Sequence, residues 1–169
     1  DLVTLSLVLI IGLLIVLILV MEQLRKMQSP SSASEAKLKP KERIILFGTF
    51  SVYAGWITVA TIANATTWLV KAGFRGGNLG EVFFTCGMLV IATVIVVLTS
   101  SRYQSWPYIA VVLWAFGGIL LKHVDSNGFK GLYPAVLVTC GVMMGILLVQ
   151  GLCIVLNKDI LKTILSKRL

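Results

Sequence analysis

Phe47-Gly48-Thr49-Phe50-Ser51-Val52-Tyr53-Ala54-Gly55-Trp56-Ile57-Thr58-Val59-Ala60-Thr61-Ile62-Ala63-Asn64-Ala65-Thr66-Thr67-Trp68 is an apolar stretch of membrane length, and its filling decides how the chain folds. Ser51, Tyr53, Trp56, Thr58, Thr61, Asn64, Thr66, Thr67 and Trp68 stand where a lipid-facing helix carries mostly Leu and Val. Hydrocarbon cannot satisfy hydroxyl and amide groups, so such a segment must bury one face against other helices or a ligand. Leu2–Val20 makes the contrast: its only hydroxyls are Thr4 and Ser6, and apart from Gly12 the rest is aliphatic. The Phe47–Trp68 segment is therefore the expected functional centre.

Working outward, the 169 residues suit one domain, and 57% are hydrophobic against 13% charged, with a mean hydropathy of +0.95. Soluble domains carry about 25% charged residues. Five segments approach the ~20 apolar residues that a spanning helix needs: Leu2–Met21, Ile44–Val70, Val82–Thr99, Trp106–Leu121 and Leu132–Leu156. The fourth is the shortest, and is expected to extend by a turn or to sit where the membrane is thin. The expected fold is all-α, a polytopic membrane protein of five transmembrane helices. Its parts are a first helix (1–21), an inner-side polar linker (22–43), a four-helix bundle (44–157) and a basic amphipathic tail (158–169). Asp1 is not an initiator Met, so preceding sequence is expected. Leu2–Met21 is too long for a signal-peptide core, and no small-residue cleavage pattern follows it, so it reads as a retained span.

The net charge of +8 follows a membrane rule rather than a nucleic-acid one. Arg25, Lys26, Lys37, Lys39, Lys41, Arg43, Arg102, Lys158, Lys162, Lys167 and Arg168 fall on one side of a five-span arrangement. Only Lys71, Arg75, Lys122 and Lys130 fall on the other. Eleven against four is the positive-inside bias, with the C-terminus inside. On a cysteine-free background, single cysteines at Ser32 and Ser166 are expected to react with an impermeant reagent from the same side. Opposite accessibility would refute the five-span arrangement.

Ser29-Pro30-Ser31-Ser32-Ala33-Ser34 reads as a flexible linker, and Pro40 precedes the next helix. Short loops elsewhere predict a compact antiparallel bundle. Pro107 and Pro134 sit at helix starts, where a missing N–H costs little, and Ser105 is placed to cap the fourth span. Gly73-Phe74-Arg75-Gly76 before Thr85-Cys86-Gly87 is echoed by Gly128-Phe129-Lys130-Gly131 before Thr139-Cys140-Gly141. The echo fits either a duplicated hairpin or ordinary membrane-loop composition. In the tail, Ile160, Leu161, Ile164, Leu165 and Leu169 alternate with basic residues, as in an interfacial helix on the inner surface or a frayed, solvated end. Cys86, Cys140 and Cys153 have no metal-ligand spacing.

No charged residue lies mid-span, which argues against pumps, antiporters and charge-lined channels. Neither a catalytic triad, a zinc motif nor a phosphate loop is present, so enzymatic activity is not expected. His123 lies at the outer edge, either as a surface group or as a metal or haem ligand. The sequon Asn64-Ala65-Thr66 lies inside a span and should be inaccessible. Tyr53 and Asn64 are 11 positions apart, which brings them within about 20° around a helix, with Ile57, Ala60 and Trp68 near the same line. Ser51, Gly55, Thr58 and Ala65 form a small-residue stripe that permits close helix approach. Trp114, followed by Gly117 and Gly118, offers a ring beside a space. Two readings follow. Tyr53, Trp56, Asn64, Trp68 and Trp114 line a ligand-binding pocket for a flat apolar molecule with a polar edge. Alternatively, the hydroxyls bond to their own i−4 carbonyls and the tryptophans sit at interfaces. Gly141-Val142-Met143-Met144-Gly145 is a small-xxx-small pattern for a contact within the bundle, with another subunit or with a second copy.

The run Tyr53-Ala54-Gly55-Trp56 leading to Ala60-Thr61-Ile62-Ala63-Asn64, with Leu113-Trp114-Ala115-Phe116-Gly117-Gly118-Ile119 downstream, resembles the tryptophan-rich sensory protein, or translocator protein (TspO/MBR), family. The resemblance covers Phe47–Val70 and Val111–Leu121, and marks the chain as the C-terminal part of a longer member. The resemblance implies five helices and non-catalytic binding of a tetrapyrrole or sterol-like lipid. The proline- and tryptophan-rich N-terminal segments and the last-span proline-tyrosine motif of that family are absent here. The competing expectation is a structural accessory subunit of a large respiratory or photosynthetic membrane complex. Either role places the chain in an organellar or bacterial inner membrane.

Overall fold

The computed structural model describes residues 2–27, 40–74 and 80–166. Five helices cross it: α1 (Leu2–Lys26), α2 (Pro40–Lys71), α3 (Gly80–Tyr103), α4 (Trp106–Val124) and α5 (Pro134–Ser166). Each is long and apolar enough to cross a membrane, so the chain is an all-α bundle of membrane-spanning helices. The ends overshoot the apolar segments. A helix satisfies its own backbone whether its side chains are polar or not, so α1 runs on through Glu22–Lys26, closing with Arg25 and Lys26 in its last turn, where the helix dipole favours cations. The serine-rich linker and residues 75–79, with half of the first Gly-Phe repeat, lie outside the described residues. So do the tail's side chains, although the α5 backbone stays helical to Ser166.

The packing is not a simple run of antiparallel neighbours. α2 packs closely on α4 and α3 on α5, pairs that cross in the same direction, whereas α2 and α3 barely meet. Only α4 and α5 form a packed antiparallel hairpin between chain neighbours in the bundle, and α1 lies against α2 at the periphery. The small-residue stripe explains the choice. A Cβ on Gly55 would stand 3.0 Å from the Tyr108 carbonyl oxygen and 3.3 Å from the Val111 Cβ, so α4 approaches closely enough that even a methyl is tight and nothing larger fits. Ser51 and Thr58 are buried on the same face, and the Thr58 and Tyr108 hydroxyls meet at 2.7 Å. The core continues through Ile109, Val112 and Phe116 of α4 to Cys140 and Leu147 of α5, where the Cys140 thiol donates to the Phe116 carbonyl at 3.4 Å.

Polar ties hold the helix ends. Glu22 accepts from Arg25 at 2.7 Å and from Arg102 at 3.3 Å, linking α1 to the end of α3, and Gln150 donates to Ser101 at 2.7 Å. Exposed ion pairs of this kind contribute little, about 0–1 kcal/mol. Ser105 is the N-cap residue of α4, but no side-chain capping bond forms, and its hydroxyl is buried without a partner. Pro107 at the second helical position removes one of the two N–H groups that a capping hydroxyl accepts.

Candidate functional site: an aromatic groove between α2 and α4

Thr49, Val52, Tyr53 and Trp56 recur at the i, i+3, i+4, i+7 spacing that puts them on one face of α2. Trp106, Ala110 and Trp114 do the same on α4, four positions apart. The two faces, with Pro107 and Val111, enclose an outward-opening groove of about 650 Å³. Three of the four tryptophans of the chain converge there with Tyr53. Among the described residues no charged side chain lines it, and its wall is almost wholly apolar. Trp114 projects furthest, 79% exposed, and Trp56 is 54% exposed. Rings this exposed lie at the surface of the bundle rather than filling its core.

The five residues expected to line one pocket do not share one. Tyr53, Trp56 and Trp114 meet in the groove. Asn64 lies on the α1 side, where it accepts from the Ser6 hydroxyl at 3.1 Å and donates to the Ala60 carbonyl at 3.0 Å. Trp68, one turn further on, is outside the groove lining as well. A helical wheel explains the discrepancy. It places Tyr53 and Asn64 about 20° apart but hides their separation of roughly 16 Å along the axis, at 1.5 Å per residue. Asn64→Leu is accordingly expected to leave insertion and the groove intact while loosening α1, by about 0.6 kcal/mol, the typical worth of a membrane hydrogen bond. Equilibrium unfolding in mild detergent checks this; a more stable variant would place Asn64 against lipid.

Most α2 hydroxyls are satisfied inside their own helix. Thr58, Thr61, Thr66 and Thr67 each donate to the carbonyl four residues back, at 2.7–2.9 Å. That satisfies these four threonines without a ligand, whereas the Ser51 hydroxyl is buried with no partner among the described residues; the ring cluster is left over as well. Trp106, Thr49 and Val52 were not anticipated as lining, though Trp106 stands eight positions, or about 80°, from Trp114.

The remaining chemistry lies elsewhere. His123 donates from Nδ1 to the Ile119 carbonyl at 2.8 Å and packs on Phe129, with ring centroids 4.8 Å apart, and on Tyr133 at 6.2 Å. Among the described residues no group of three His, Cys, Asp or Glu side chains could hold a metal ion. Gly141 and Gly145 face away from the bundle: a Cβ at either meets nothing within 4 Å, so among the described residues the small-xxx-small pattern makes no contact.

Residues 1–153 match the family described as TSPO-like protein. The chain belongs to that family. No curated protein and no solved structure matches it. The TSPO-like proteins are a class of ligand-binding membrane proteins without catalytic activity, and the groove is read on that basis. Among the described residues its lining offers no His or Cys as an axial ligand and no cation for a carboxylate.

Proposed function

We propose that this TSPO-like chain binds a tetrapyrrole or a sterol-like lipid, without turning it over, in the groove between α2 and α4. Tyr53, Trp56 and Trp114 are its ligand-binding residues. The observation that carries the reading is the convergence of three tryptophans and Tyr53 on one groove facing the bilayer. In this reading the rings of Tyr53, Trp56 and Trp114 hold the ligand by stacking and apolar contact. The basic bias of the loops supports a C-terminus on the inner side of an organellar or bacterial inner membrane.

Gentle purification from the native membrane, followed by absorption spectroscopy and lipid analysis, tests this. A Soret band or a stoichiometric sterol-like lipid is the expected result. A ligand-free protein that also fails to take up either class in bilayer nanodiscs would overturn it. A second reading, a structural subunit that docks on a larger membrane complex or on another copy, is favoured by the open face at Gly141 and Gly145.

A further inference from the structure

A second cavity, of about 280 Å³, lies between α2, α3 and α4 toward the α2–α3 loop. It exists because α2 and α3 pack on α4 and α5 rather than on each other. Ala63 and Thr66 of α2, Thr85, Met88 and Ala92 of α3, and Phe116 of α4 are among its walls. It shares no lining residue with the aromatic groove. On α4 the two sites use different faces, since Phe116 is buried where Trp114 is exposed.

Water is a poor occupant. Among the described residues Thr66 and Thr85 carry the only polar side chains of the lining, and both donate back to their own helix, to Ile62 at 2.8 Å and Glu81 at 2.9 Å. A buried water needs 2–4 polar partners. An empty space of this size is destabilising, because the lining atoms lose their contacts. Its mouth lies between two membrane-spanning helices, at the exposed Ala63, where the neighbouring medium is hydrocarbon. Size narrows the choice further. A cavity of about 150 Å³ admits benzene; one nearly twice as large takes a run of methylenes but not a macrocycle.

We propose that this cavity is a lipid site that holds the end of one acyl chain of a bilayer phospholipid, admitted sideways between α2 and α3. It is independent of the groove and of whatever the groove binds. The full chain in phosphatidylcholine vesicles, with a photoreactive diazirine at the end of one acyl chain, provides the test. After irradiation and digestion, adducts are expected on Phe116 and Met88 in yields comparable to those on Val94, an outward-facing α3 residue. Ala92→Leu fills the cavity and Ala63→Leu fills its mouth. Each should lower Phe116 labelling several-fold and leave Val94 labelling unchanged, while Trp114→Ala should alter neither. Should Ala92→Leu fail to fold, Ala63→Leu at the exposed mouth carries the test alone. Phe116 left unlabelled while Val94 is labelled would overturn the proposal, as would Phe116 labelling that survives the filling substitution in folded protein.

Discussion

Gly55→Leu is expected to unfold the bundle or to separate α2 from α4. The first side-chain atom already stands 3.0 Å from the Tyr108 backbone oxygen and 3.3 Å from the Val111 Cβ, and neither can swing aside as a flexible side chain would. Overpacking a tight site costs about 1–3 kcal/mol, and a branched side chain driven into a backbone contact belongs at or above the top of that range. The interface carries the Thr58–Tyr108 hydrogen bond and the buried Ile109 and Val112, so its opening removes core and groove together. Gly55→Ala is a graded control: its single methyl is tight, but alanine regains about 1 kcal/mol of helix propensity over glycine. Thermal unfolding followed by circular dichroism should therefore rank wild type and Gly55→Ala close together, with Gly55→Leu far below. Gly117→Leu, where a Cβ meets nothing within 4 Å, should behave as wild type. Equal melting of Gly55→Leu and Gly117→Leu would remove the close-approach account of the fold.

Trp114→Ala is expected to weaken ligand binding while the fold survives. Trp114 is the most exposed ring in the groove, and substitutions at such surface positions usually change stability by no more than about 0.5 kcal/mol. Its contribution to a stacked ligand is that of an aromatic pair, about 0.5–1.5 kcal/mol, or roughly 2- to 10-fold in Kd. Trp56→Ala should cost a similar factor, and the double variant more than either, since both rings face one occupant. Tyr53→Phe separates the hydroxyl from the ring: it should lower affinity only for ligands whose polar edge reaches α2. Titration in nanodiscs, followed by ligand absorbance or tryptophan quenching, reads all four variants on one scale. Unchanged affinity in the double variant would place the ligand outside the groove.

The spans were legible because membrane length and apolarity are local properties, and the stripe of Ser51, Gly55 and Thr58 correctly marked the face where another helix comes close. Which helix would come was not legible. Short loops suggested that chain neighbours pack together, but the depth allowed at Gly55 draws in α4 and leaves α3 to α5. The site was half legible for a related reason. Angular position around α2 can be computed from sequence, so Tyr53, Asn64 and Trp68 looked like one group. Axial level and the neighbour at that level cannot be computed so directly, and Asn64 is engaged by Ser6 of α1. By composition Trp106 reads only as the start of a span, although its spacing to Trp114 places both on one side of α4. Ser105 shows the limit of a local capping rule, since its hydroxyl stays unpaired beside Pro107.

The most direct measurement compares Trp114→Ala with Gly141→Leu and Gly145→Leu, reading ligand absorbance and native-gel mass on the same samples. The glycine substitutions point into open space, so they leave this chain folded and disturb only a partner seated on α5. If the groove is the working surface, Trp114→Ala loses much of the bound ligand at unchanged mass, and both glycine variants keep it. Unchanged spectra for Trp114→Ala, together with loss of complex mass in Gly141→Leu and Gly145→Leu, would contradict the groove and leave the docked-subunit reading in its place.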